Sequence, residues 1–262
     1  MQQLTYRVTH RHAFTLIETI VALAVIALLV GSVVVGQRVL RQSQLQAVLS
    51  DYAKYSSAVN QFRQQYNGFP GDLLDAQDFW GTSGIVNGSG NGQISGTVEP
   101  YQAWLQLVDA KYIEGSYSGV AVDDGSASHN MLASPGVNVP RARLANSGWS
   151  FGYKPTTSSD NQRYDQGLDN FLAFGAATTA TSATNATDGY VTIGPVLTPE
   201  EAMQLDKKID DGLPTTGRVV SLRPSWTAPA VSPVPNCVNV NAYKIAYKAE
   251  ACSLNMKIML QR

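Results

Sequence analysis

Charge, histidine and cysteine are all scarce in this sequence of 262 residues, and each scarcity narrows what the chain can do. Charged residues make up 15% and the formal net charge is -1, so the basic surplus or stripe of a general nucleic-acid binder is missing. The 3 histidines are His10, His12 and His129. Two of them precede the first apolar run, and His129 stands in a Gly/Ser-rich stretch. With one histidine beyond that run, histidine-based nucleophilic catalysis has little to work with. The 2 cysteines, Cys237 and Cys252, lie close together near the C-terminus. In an exported domain they would close a loop of about 15 residues, worth on the order of 3 kcal/mol. In the cytosol they would remain thiols. What the chain does have is a hydrophobic content of 44%, enough for a packed core.

The N-terminus decides the compartment. Residues 1–13, MQQLTYRVTHRHA, hold Arg7 and Arg11 and no acid. Apolar sequence then runs from residue 14 to 36, FTLIETIVALAVIALLVGSVVVG, with Glu18 as its one charge. About 20 apolar residues suffice to cross the hydrocarbon core. The basic flank should stay in the cytoplasm and place the remainder outside. A secretory signal peptide usually has an apolar region of only about 7–15 residues, and a carboxylate inside it is costly. An ionisable side chain within such a span is by default functional.

The residues Ala13-Phe14-Thr15-Leu16-Ile17-Glu18, followed by an unbroken apolar run, resemble the type IV pilin superfamily, which includes the pseudopilins of type II secretion. The resemblance implies cleavage by a prepilin peptidase between Ala13 and Phe14, N-methylation of Phe14, and an assembly role for Glu18 at the fifth mature position. Ala13 stands where the family usually has Gly. The physical logic is independent of the family. Cleavage leaves a positive amino terminus in an apolar setting, and a carboxylate four residues on can neutralise it or that of a neighbouring subunit. Breaking such a desolvated pair costs about 3–5 kcal/mol. Removing 13 residues from 262 leaves 249, larger than most major pilins, which favours a minor pilin or pseudopilin. His10 and His12 would leave with the leader.

Beyond Arg38 the helical pattern becomes one-sided. Leu45, Val48, Tyr52, Tyr55, Val59, Phe62 and Tyr66 recur at spacings of three and four, and no Gly or Pro interrupts until Asn67-Gly68-Phe69-Pro70. Residues 14–66 are therefore expected to form one helix roughly 80 Å long. Its apolar stripe would pack on the chain's own sheet, with a coiled coil to another protein as the alternative. The expected fold is α+β and pilin-like. A leader spans 1–13, a stalk helix 14–66 has its membrane segment at about 14–36, and an extracytoplasmic head covers 67–262 with an antiparallel β-sheet and short extra helices.

Within the head, Phe69–Asp72 and Asp78–Gly81 read as the connection from stalk to sheet. Gly84–Gly96 reads as a flexible loop or tight hairpin. Glu99–Ile113 should form a short helix with Trp104, Leu105, Val108 and Tyr112 on its packed side; for Trp104, core packing outweighs a ligand role. Strands are expected at Trp149–Lys154, Asn170–Phe174, Tyr190–Val196 and Arg218–Arg223, with exposed loops at Thr178–Asp188 and Pro224–Pro235. A helix begins at Thr198, with Pro199 at its first position and Glu201 completing a capping box, and Gly212 is the expected left-handed C-cap. Alternating Leu254, Met256, Ile258 and Leu260 predict a half-buried last strand, to which Cys237–Cys252 would clamp the preceding loop, as pilins often close this region.

One cluster suggests metal chemistry. Asp206, Asp210 and Asp211 near Gly212 offer hard oxygen ligands suited to calcium. The resemblance allows it, since some pseudopilins bind calcium near the C-terminus. Lys207 and Lys208 offer a local ion-pair explanation instead. Asp123-Asp124-Gly125 reads as a turn. The resemblance implies as partners other pilin or pseudopilin subunits, the prepilin peptidase, an inner-membrane assembly platform and membrane lipid. It also implies a single pass through a bacterial inner membrane with a periplasmic head that ends in a filament or at the cell surface, and a structural rather than enzymatic role. The competing reading is a membrane-anchored extracytoplasmic binding module, adhesin or enzyme that uses the segment only as a signal anchor.

Overall fold

A computed structural model describes residues 15–122, 133–154, 167–177, 192, 194–221 and 237–258. Ala13, Phe14, His129, Asp123–Gly125, the Thr178–Asp188 and Pro224–Pro235 loops and Leu260 lie outside the described residues. Two units divide the chain, Met1–Ser43 and Gln44–Arg262, with the boundary inside the first helix.

In the first unit, helix α1, which covers Leu16–Tyr66, is exposed at every position up to Leu40. Among the described residues it is the helix long and apolar enough to cross a membrane. Leu16, Ile17, Leu23 and Leu28 are all more than 60% exposed, an arrangement that suits lipid or protein neighbours rather than water.

The second unit contains the amphipathic part of α1. Leu45, Val48, Tyr52, Tyr55, Val59 and Phe62 are buried, while Tyr66 is half-buried. The stripe packs on this chain's own head: Tyr55 meets Trp104 edge-on at 5.0 Å and Trp149 at 5.8 Å, and the Tyr52 hydroxyl donates to the Lys257 carbonyl at 2.6 Å. The helix ends at Asn67, whose φ of 53° is a left-handed conformation that Asn tolerates and most side chains avoid. Helices α2 (Ala76–Trp80), α3 (Glu99–Asp109) and α4 (Pro199–Ile209) follow.

A four-stranded antiparallel sheet has the order β1-β2-β6-β3, built from β1 (Ser147–Lys154), β2 (Asp169–Ala176), β3 (Val219–Ser221) and β6 (Leu254–Lys257). Strands β4 (Val238–Asn239) and β5 (Ala242–Tyr243) form a separate hairpin. The register explains the core. Phe151, Leu172, Met256 and Val219 form one cross-strand row, and Trp149, Phe174, Leu254 and Ser221 the next. Trp149 and Phe174 pack at 4.9 Å and Phe151 meets Trp104 at 4.2 Å, so α3 seals the same face that receives α1.

Several elements differ from the sequence-based expectation. Strand β6 is not half-buried but interior, lying between β2 and β3, so that Asn255 is buried as well as Leu254 and Met256. In α3 the buried side is Tyr101, Gln102, Ala103, Trp104, Gln106 and Leu107, while Leu105 and Val108 are half-buried and Tyr112 lies beyond the helix. Surrounding elements bury Gln102 and Gln106 because both amides bond to backbone: Gln106 Oε1 accepts from Gly71 N at 2.7 Å, and Gln102 Nε2 donates to Gly119 O at 2.8 Å. Near residues 190–196 the described residues contain no strand; Gly194 forms an isolated bridge with Ala176, and Leu197 one with Cys252. The capping box at Thr198 and Glu201 is present, but α4 ends on Asp210, and Gly212 (φ 78°) falls two residues later.

The segment from Gly84 to Gly96 is neither a flexible tether nor a hairpin. Its backbone is tied down by two carboxylates. Asp72 accepts from Ser89 Oγ at 3.1 Å, Asn91 N at 3.0 Å and Gly92 N at 2.7 Å, and Glu99 accepts from Ser89 N at 3.0 Å and Ser95 N at 2.9 Å. Close approach requires glycine at position 88, since a Cβ there would strike the Asp72 backbone. Charge-assisted bonds of this kind are among the stronger protein hydrogen bonds, which is why a Gly- and Ser-rich stretch becomes a fixed wall.

Candidate functional site

Three groups of residues bear on function: the N-terminal segment, the disulfide, and the aspartate cluster beyond α4. At the N-terminus, Glu18 occupies the first turn of α1 and is exposed, and its backbone N–H donates to the Thr15 carbonyl at 3.1 Å and to Thr15 Oγ1 at 3.4 Å. A carboxylate in the first helical turn faces the positive end of the helix dipole. Ala13 and Phe14 are outside the described residues.

Comparison with known families adds the deciding observation. Residues 9–34 match the family described as the prokaryotic N-terminal methylation motif. The chain is pilin-like at its N-terminus. The matched stretch contains Ala13, Phe14 and Glu18 together with most of the exposed apolar part of α1, and the long N-terminal helix followed by an antiparallel sheet is a pilin-like α+β architecture. The motif supports a type IV pilin-like substrate of prepilin peptidase. Neither the curated proteins nor the solved structures gave a match.

Cys237 and Cys252 are disulfide-bonded with a Cα–Cα distance of 5.1 Å. The bond ties the entry of the β4–β5 hairpin to the residues leading into β6, and Ser221 Oγ lies 3.0 Å from Cys237 Sγ. The β4–β5 hairpin was not legible in the sequence. Its strands are two residues long, and its turn places Val240 at a φ of 57°, which a β-branched residue adopts only under strain.

The three aspartates of the cluster converge, with one carboxylate oxygen of each within 4.8 Å of the others. Asp206 is fully buried and accepts from Tyr243 Oη at 2.9 Å and Gly212 N at 3.2 Å. Asp211 accepts from Leu213 N and Thr216 Oγ1, both at 2.8 Å, and Asp210 accepts from Arg218 N. Lys207 and Lys208, the ion-pair partners expected from sequence, are not the groups that meet these carboxylates; Arg218 pairs with Asp210 at 3.8 Å. A donor set of three carboxylates suits a hard divalent cation, although each already bonds to its own chain.

Burial, and to a lesser degree the neighbouring Asp211 and Asp210 charges, pushes the Asp206 carboxyl up from 3.8 to about 7. Burial and the Asp206 charge push the Tyr243 phenol upward as well, so it stays a hydrogen-bond donor. The folded state therefore holds the Asp206 proton more tightly than the unfolded state does. Folded stability drawn from this group is present below about pH 4 and is lost as pH rises towards about 7. In chelator-treated protein, the stability of Asp206→Asn relative to wild type should rise by on the order of 2 kcal/mol between pH 4.5 and pH 8. Urea unfolding at the two pH values measures this, and a difference that does not change with pH would contradict it.

Proposed function

We propose that the chain is a structural subunit, a minor pilin or pseudopilin, of a type IV pilus or type II secretion-like filament. The observation that carries this reading is the methylation motif over residues 9–34, with Glu18 inside an exposed apolar helix. In this reading residues 1–13 are a leader, residues 14–66 the stalk and residues 67–262 the periplasmic head. Prepilin peptidase cuts between Ala13 and Phe14 and methylates Phe14. Glu18 meets an amino terminus within the assembled filament. The helix first sits in the inner membrane with lipid around it, and an assembly platform then passes it to other pilin or pseudopilin subunits. A signal-anchored binding module would use the same span without needing Glu18.

Site-directed cross-linking separates the two readings. Cysteine pairs placed along residues 20–35 should cross-link this chain to other pilin-like subunits in sheared filaments or membranes. Recovery of the chain only as a membrane-bound monomer would contradict filament assembly.

The aspartate cluster enters the same proposal as a calcium site. A bound calcium would neutralise Asp206, Asp210 and Asp211 and fix the end of α4 against the β4–β5 hairpin. At calcium about 100-fold above its Kd, stability should rise by about 2.7 kcal/mol, and Asp210→Ala should remove the rise. An unchanged melting temperature in wild-type protein would rule the site out.

A further inference from the structure

Two concavities on the head, of about 480 and 300 Å³, share Arg63, Phe69 and Gly92 and so form one two-lobed groove. The guanidinium of Arg63 lies at their junction, 4.4 Å over the Phe69 ring. It has no acceptor for its N–H groups among the described residues. The other charges in the groove are largely committed. Asp72 is consumed by three bonds from the 84–96 segment, and Asp169 pairs with Lys257 at 3.0 Å. Asp75 lines the larger lobe and is exposed to solvent.

We infer that this groove binds an acidic saccharide chain, with Arg63 taking a sugar carboxylate and the two lobes taking the flanking hydroxyl-bearing units. A guanidinium held over an aromatic ring has less freedom to lose on binding, and a carboxylate is the partner that matches its planar fork with two parallel bonds. The rest of the lining suits hydroxyls. Asn67, Asn91, Gln93 and Tyr153 bring amide and phenol groups to the two lobes. A peptide is less well served, because peptides anchor apolar side chains in pockets or pair with an open strand edge. Here the Phe69 face is occupied by Arg63, and turns and the 84–96 segment make up much of the wall. That wall is already fixed by Asp72 and Glu99, so little ordering entropy is lost on binding. The volumes are those of small-ligand sites, which run from about 300 to 1,000 Å³. The site lies wholly within residues 63–258, inside the second unit, so it stands whether or not the chain assembles into a filament.

Calorimetry on the full-length chain in detergent micelles tests it. The probes are tetrasaccharides of galacturonate, glucuronate and mannuronate, a neutral galactose tetrasaccharide, and hexaglutamate as an acidic peptide. At least one uronate should bind with a Kd below about 1 mM, and the neutral sugar and hexaglutamate should bind about tenfold more weakly or worse. Arg63→Lys keeps the charge but not the fork and should weaken uronate binding about tenfold. Phe69→Leu should weaken it by a smaller factor, and both variants should melt within a few degrees of wild type. The proposal is overturned if no uronate binds at about 10 mM. It is equally overturned if Arg63→Lys binds as well as wild type, or if the neutral sugar or hexaglutamate binds as tightly as the uronates.

Discussion

Glu18→Ala is expected to leave the head folded and the chain in the membrane while depleting it from filaments by about two to four orders of magnitude. That factor follows from the roughly 3–5 kcal/mol lost when one partner of a desolvated ion pair is removed. The structural ground for separating assembly from folding is the position of Glu18. It is exposed in the first turn of α1, whereas the buried face of that helix begins at Leu45. Its side chain is exposed and takes no part in the buried core, so its loss should not lower the melting temperature. Quantifying the subunit in sheared filaments and in membranes from the same cells measures the effect. Equal incorporation of the variant would show that Glu18 has no assembly role.

Trp104→Ala should have the largest effect on folding, a loss of about 3–5 kcal/mol. Trp104 is fully buried, and it meets Tyr55 of α1 at 5.0 Å, Phe151 of β1 at 4.2 Å and Tyr117 at 6.2 Å. It is therefore the side chain at which stalk helix, sheet and α3 meet. Among the described residues its indole nitrogen has no hydrogen-bond partner, so truncation removes packing. In a unit of this size each kcal/mol is worth roughly 2–4 °C, so the melting temperature of the variant should fall by on the order of 10 °C. Trp104→Phe refills part of the volume and should cost less. A Trp104→Ala protein that melts like wild type would remove Trp104 from the centre of the core.

The sequence was most legible where one physical requirement dominated. The uninterrupted apolar run and the Leu45–Phe62 stripe depend on helical periodicity alone, and both lie in α1. The Thr198-Pro199-Glu201 start of α4 depends on satisfying free N–H groups at a helix end, and that capping box is present. Strands β1 and β2 followed from short aromatic-rich runs. Legibility failed where distant residues set the local structure. Composition marks the 84–96 stretch as loose, yet the Asp72 and Glu99 carboxylates fix it, and both belong to other elements. Alternation marks β6 as half-buried, yet its placement between β2 and β3 buries Asn255 too. In α3 the polar Gln102 and Gln106 disguise the buried side because their backbone partners are supplied by the surrounding loops. Arg63 carried no motif at all; only the turn that brings Phe69 beneath its guanidinium distinguishes it from any other helical cation.

The central claim concerns the N-terminus, and mass spectrometry of the terminal peptide from membrane-extracted protein tests it most directly. Cells with an active prepilin peptidase should yield a chain beginning at Phe14 with a methylated amino group, and cells lacking the peptidase should retain residues 1–13. A terminus still at Met1 in cells with active peptidase, or a cut after about residue 36 as signal peptidase would make, would contradict the account.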